Sequence, residues 1–124
     1  METKDLGKTS TGMQANVAAL VSYVLGWITG LVFFLTEKDN KFVRFHALQS
    51  IIVFGALSAL GVIISILFQF FLMARLYFVF RFLALISNLL WLVALILWVI
   101  LMIKAYQGEK FKLPIAGDIA EKNA

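Results

Sequence analysis

Three stretches of the chain carry no charged side chain at all: Asn16 to Leu35, Ala47 to Met73 and Phe82 to Ile103. A helix of about twenty apolar residues, rising about 1.5 Å per residue, is long enough to cross a hydrocarbon core. Each stretch is therefore predicted to be a membrane span. The expected fold is an all-α integral membrane helical bundle with about three transmembrane helices and short interfacial helices. It forms a single membrane domain over residues 1–124, with spans at 16–35, 47–73 and 82–103, a polar N-terminus over 1–15 and a C-terminal tail over 104–124. As a straight helix, Ala47 to Met73 would be on the order of 40 Å long, so it must tilt, bend or begin in the headgroup zone. Split in two, neither half would reach across.

Composition points the same way. The chain is 62% apolar with a mean hydropathy of +0.94, against roughly 45–50% apolar usage in ordinary soluble domains. A soluble core of this size would leave an apolar patch too large to stay in solution. The net charge of +4 comes from Lys and Arg placed in patches beside the apolar runs. That placement suits anionic lipid headgroups and argues against a nucleic-acid groove. With no cysteine and one histidine, neither a disulfide nor a multi-ligand metal site is expected, and no cofactor. Met1 to Gly12 lacks the basic start and short apolar core of a cleavable signal peptide, so the first apolar run is expected to stay in the mature protein.

Between the second and third runs, Arg75 to Arg81 offers no Gly, Pro, Asn or Asp for a tight turn and is read as an interfacial segment whose rings and arginines suit the headgroup boundary. Three spans place the first loop and tail on one side, with Lys38, Lys41, Arg44, Lys104, Lys110, Lys112 and Lys122. The N-terminus and second loop fall opposite, with Lys4, Lys8, Arg75 and Arg81. Seven basic residues against four favour the first set in the cytoplasm, giving a multi-pass cell-membrane protein with its N-terminus out and its C-terminus in.

In the first span Ala18, Ser22, Gly26 and Gly30 recur every fourth residue, a stripe on which another helix backbone can approach closely. It fits packing within the monomer or a homodimer contact. Gly55, Ala59, Gly61 and Ser65 offer small positions in the second span. In the third, Ala84, Asn88, Trp91, Ala94 and Trp98 share a face that is expected to look inward. The Asn88 amide then finds a partner on a neighbouring helix, with Ser22, Tyr23 and Ser58 as candidates.

Two polar motifs end on the same side. In the first, Asp39 or Asn40 is placed to cap the helix that carries Arg44, His46 and Gln49, while Glu37 and Asp39 favour its positive end. In the second, Lys104 complements a helix C-terminus and Gly108 stops it. Phe111, Leu113 and Ile115 then alternate with Lys110, Lys112 and Pro114 as in an extended segment, and Asp118 can cap a last short helix. The expected site is a polar cluster of Arg44, His46 and Gln49 with Lys104, Tyr106, Gln107, Glu109 and Lys112, including an Arg44–Glu109 pair. The alternative is that both motifs are simply solvated flanks.

Asn16 to Leu20, Phe42 to Ser50, and Lys104 to Glu109 with Leu113 and Pro114 carry a resemblance. They resemble a family of small three-span bacterial and archaeal membrane proteins of no assigned function, similar to the chloroplast import component Tic-twenty and to magnetosome proteins of the MamF type. The resemblance covers nearly the whole chain. It implies a self-associating membrane component, with a part in protein translocation or membrane organisation. With the small-residue stripe and the paired motifs, it makes a non-enzymatic protein acting through helix–helix association the leading expectation, with a homo-oligomer or another membrane protein as partner. A small oligomeric channel or transporter is the alternative, weakened by the lack of charge within the spans. No catalytic residue is expected, since His46 with Glu37 or Asp39 is too loose a set for acid–base chemistry.

Overall fold

The computed structural model describes residues 6–124; Lys4, counted above with the N-terminal flank, lies outside them. The described chain runs α1 (Ala15–Val24), α2 (Trp27–Thr36), α3 (Lys41–Met73), α4 (Tyr77–Tyr106) and α5 (Ala116–Asn123). Two of these, α3 with 33 residues and α4 with 30, are long and apolar enough to cross a membrane.

The first apolar run differs from expectation. Instead of one span over 16–35 it forms two helices of 10 residues each, broken at Leu25 and Gly26. Gly26 takes φ 63° and ψ −131°, a region open only to glycine. There the chain folds back on itself. The Ser10 amide, ahead of α1, donates to both oxygens of the Glu37 carboxylate beyond α2, at 3.0 and 2.8 Å. Asn40 Nδ2 donates to the carbonyls of Leu6 and Lys8 at 2.8 and 3.2 Å.

A hairpin tip must satisfy the backbone groups that the two helices leave unpaired. Here side chains do it. The Thr29 hydroxyl donates to the Ser22 carbonyl at 3.0 Å and accepts from the Leu25 amide at 3.1 Å. Ser50 Oγ donates to the Gly26 carbonyl at 2.8 Å, and the Trp98 indole donates to the Tyr23 carbonyl at 2.7 Å. Gly30 then lets α2 close against α3, where an added Cβ would lie 2.8 Å from the Ala47 carbonyl oxygen and 3.0 Å from Ser50 Cβ. The small residues Ala18, Ser22, Gly26 and Gly30 thus face the protein's own core, two on α1, one at the tip and one on α2.

The hairpin lies against only one half of the α3–α4 pair. Ala15, Ala18, Ala19 and Tyr23 pack with Phe42, Val43, Leu101 and Ala105 as the buried core. Beyond Phe54 and Trp98 the two long helices run on alone, and Phe70, Met73, Phe78 and Trp91 are largely exposed. Asn88 belongs to this bare half. It is exposed and, among the described residues, its side chain takes no hydrogen bond, because the hairpin ends too early to offer Ser22 or Tyr23 to it.

The α3–α4 connection is also tighter than expected. Arg75 itself takes the left-handed conformation at φ 60°, and the Leu76 amide bonds the Phe71 carbonyl at 3.0 Å, so α4 starts at Tyr77 and includes Arg81. With the hairpin returning, the described N-terminal residues, the 37–40 loop and the tail all sit at one end of the molecule and Arg75 at the other. Asn16 Nδ2 reaches the Tyr106 carbonyl at 3.1 Å. The expectation that the N-terminus and the tail face opposite sides required a full first span and does not fit this geometry.

Candidate functional site

Where the two polar motifs meet, α3 begins with Asn40 as its N-cap, whose Oδ1 accepts from the Val43 amide at 3.1 Å. This sets His46 and Gln49, about one turn apart, on the face toward the tail. At the opposite side of the site, α4 ends at Tyr106 and the chain turns at Gly108 with φ 77°, then leaves as an extended strap over residues 109–113. The extension expected through Ile115 stops at a turn at 114–115, where Ile115 takes φ 66° before α5.

The strap is held by its backbone. His46 Nε2 lies 2.9 Å from the Glu109 carbonyl oxygen, Gln49 Nε2 donates to the Phe111 carbonyl at 2.9 Å, and the Leu113 amide donates to Gln49 Oε1 at 3.0 Å. Residues 109, 111 and 113 share one edge of an extended chain, so two helical side chains stand in for a neighbouring strand. The Glu109 carbonyl can only accept, which puts the imidazole proton on Nε2. His46 Nδ1 then accepts from the Tyr23 hydroxyl at 2.7 Å, and that hydroxyl accepts from Gln49 Nε2 at 3.0 Å. Tyr23, His46 and Gln49 are fully buried, and none of the buried side-chain polar atoms among the described residues lacks a partner. Phe42 and Phe45 flank the imidazole edge-on at 4.7 and 5.0 Å. The result is a fully satisfied latch joining α1, α3 and the strap.

Other members of the expected cluster go elsewhere. Arg44 does not pair with Glu109; its Nη1 donates to the carbonyls of Phe34 and Glu37 at 3.0 and 2.7 Å, and its guanidinium stacks 4.2 Å from the Phe34 ring centre. It closes the C-terminal end of α2, where free carbonyls and the helix dipole favour a cation. Glu109 pairs instead with Lys104 at 3.1 Å, and Lys112 with Glu121 at 2.8 Å on the exposed side of the strap. Tyr106 contributes only its carbonyl, its ring being exposed, and Gln107 is the C-cap of α4, with no side-chain hydrogen bond among the described residues.

A second buried centre was not singled out in the sequence. The Glu37 carboxylate accepts from the amides of Ser10, Asp39 and Asn40. Burial pushes this carboxyl up, but those amides outweigh it and hold the group below the ordinary value of 4.5. Its signal was an acidic residue three positions before a helix cap, which reads equally well as a dipole partner. Asp118, expected to cap α5, lies in its first turn while Ile115 occupies the N-cap. Among the described residues no three His, Asp or Glu side chains gather as metal ligands.

An all-helical domain with two long lipid-grade helices, a folded-back apolar hairpin and a latched polar end is a helical membrane protein. The chain belongs to the magnetosome magnetite crystal formation protein family, whose model matches residues 8–120. It is similar to two UPF0132 membrane proteins of Methanocaldococcus jannaschii. One is 44% identical over 94% of each chain; the other is 39% identical over 90% of this chain and 71% of the relative. A UPF0132 membrane protein of Archaeoglobus fulgidus is 42% identical over 89% of this chain and 95% of the relative. No solved structure matches.

Proposed function

We propose that this chain is a non-enzymatic integral membrane component that works through helix–helix association, with α3 and α4 crossing the bilayer and the α1–α2 hairpin entering one leaflet beside them. Its paired tip supports the placement, since non-helical backbone is tolerated at membrane depth only where protein groups satisfy it. Lys8, Lys38, Lys41, Arg44, Lys104, Lys110, Lys112 and Lys122 share the terminal end, against Arg75 and Arg81 at the other. On that distribution the termini face the cytoplasm.

The observation that carries association is the bare half of α3 and α4. A groove of about 480 Å³ opens there, lined in part by Ser58, Gly61, Ser65, Gln69, Ser87 and Ala94, with Asn88 exposed alongside. Small residues allow close helix approach, and amides at this depth gain more from a helix than from lipid. The occupant proposed is a second copy, whose own Gln69 and Asn88 bring matching donors and acceptors. The test uses the chain's lack of cysteine: Gln69→Cys and Asn88→Cys, each in bilayers under mild oxidation, should yield crosslinked dimers, while Leu35→Cys on the hairpin should not. Absence of dimers both from Gln69→Cys in the groove and from Asn88→Cys beside it would defeat the reading.

The family description speaks of magnetite crystal formation, and the archaeal relatives' names speak only of membrane proteins. This reading takes over the membrane component common to both. A part in protein translocation, as the Tic-twenty likeness implies, is a narrower form of the same proposal. The polar groups in the groove also favour an oligomeric channel or transporter as a second reading, which liposome flux above an empty-vesicle control would support.

A further inference from the structure

The molecule is thicker at one end than at the other. In the terminal half α1, α2, α3 and α4 lie side by side, with the strap and α5 held against α3; beyond Phe54 and Trp98 only α3 and α4 remain. A helix with its side chains is about 10–12 Å across, so the hairpin adds roughly 160–230 Å² of cross-section to one half alone. Counting from Arg44 to Phe54 and from Lys104 to Trp98, the added helices reach about 9–15 Å inward, close to one leaflet of a hydrocarbon core about 30 Å thick.

The hairpin is fitted to oil on the outside as well as at its tip. Leu25, Trp27, Ile28, Leu31, Val32 and Leu35 are all exposed, and none of them is polar. Area inserted into one leaflet must be matched by the other or relieved by bending. A second copy seated on the bare half would not restore the balance, because each protomer still brings only α3 and α4 to that leaflet.

We infer that the protein is a membrane wedge, which binds and produces bilayer that is convex toward the face carrying its termini. The inference rests on the reading of α3 and α4 as crossings with the hairpin immersed beside them, and it names the bilayer's shape as what the protein acts on. It does not require protomers to associate; association would concentrate the wedges and strengthen the bend.

The test is orientation against vesicle size. The full chain carrying Lys122→Cys, reconstituted into phosphatidylcholine–phosphatidylglycerol vesicles sorted by diameter, is labelled with a membrane-impermeant thiol reagent before and after detergent is added. Small vesicles should show a several-fold excess of outward tails that declines toward an even split in large ones. Cryo-electron microscopy should show mean diameter falling, with tubules, as protein is increased. Replacing Trp27, Ile28, Leu31 and Val32 with alanine trims the lipid-facing side of the hairpin and should weaken both effects. Gln69→Leu with Asn88→Leu, which removes the association seam and leaves the hairpin whole, should keep the orientation bias. An even split at every diameter, for the parent and for the seam variant, overturns the wedge even if groove cysteines crosslink. A bias that persists while no dimer forms overturns association and upholds the wedge.

Discussion

Replacing Gln49 with leucine removes the side chain that holds the strap at two points. Leucine nearly fills the volume, so the main effect is on hydrogen bonding: the Phe111 carbonyl and the Leu113 amide, bonded at 2.9 and 3.0 Å, are left facing an apolar group. Each buried group deprived of its partner costs about 1–3 kcal/mol. The strap can limit that loss by peeling into water, so the penalty falls on docking instead of on the bundle. A net cost of about 2 kcal/mol makes the detached state about 30 times more populated. Trypsin cutting after Lys110 and Lys112 in mild detergent reads that population, as long as opening is fast relative to cleavage. The expected result is a roughly 30-fold faster loss of the tail, with the α3–α4 core resistant as before. Gln49→Glu keeps the acceptor for Leu113 but sets a buried carboxylate against the Phe111 carbonyl, acceptor to acceptor, so it should release the strap at least as readily as Gln49→Leu. Equal cleavage of the parent and Gln49→Leu would refute the reasoning and assign the strap's retention to the packing of α5.

Four further outcomes follow from the geometry. Gly30→Ala drives a methyl to 2.8 Å from the Ala47 carbonyl oxygen. Its overpacking of about 1–3 kcal/mol exceeds the helix gain of about 0.5–1 kcal/mol and should lower stability in detergent. Gly61→Ala, with open space around it within the protomer, should leave the monomer's stability unchanged or slightly raised in detergent that holds it monomeric. Glu37 has a depressed folded value, so its contribution to holding the N-terminal segment is complete above about 4.5 and is lost as pH falls through the folded value. Protease access to residues 8–12 should rise on acidification, and Glu37→Gln should expose them at neutral pH. Single cysteines replacing Lys8, Lys41 and Lys112 should label together from one side of the membrane and Arg75→Cys from the other. Labelling of Lys8→Cys with Arg75→Cys would restore a full first span and sink the hairpin.

The long helices could be read directly because absence of charge over such lengths leaves few other solutions. Gly108 was legible as a stop and the cap was narrowed to Asp39 or Asn40, of which Asn40 serves, since each acts through local backbone geometry. The hairpin was not. Asn16 to Leu35 has the length and hydropathy of a span, and the features that fold it are a glycine with an uncommon φ and ψ and the distant hydrogen-bonding partners Ser50 and Trp98. A run of residues cannot display partners that come from elsewhere in the chain. The same holds at the latch. His46 and Gln49 were singled out, but their targets are backbone atoms of residues 109–113, to which side-chain identity gives no guide, and charge matching assigned Arg44 wrongly to Glu109.

The three-residue connection at Ala74, Arg75 and Leu76 has a consequence for how such a chain is made. With α3 and α4 crossing as proposed, this connection and the nearby Arg81 would be the charged groups to be ferried through oil, and the first apolar run would not have to be threaded across. On that topology, insertion would resemble pushing a closed loop into the bilayer.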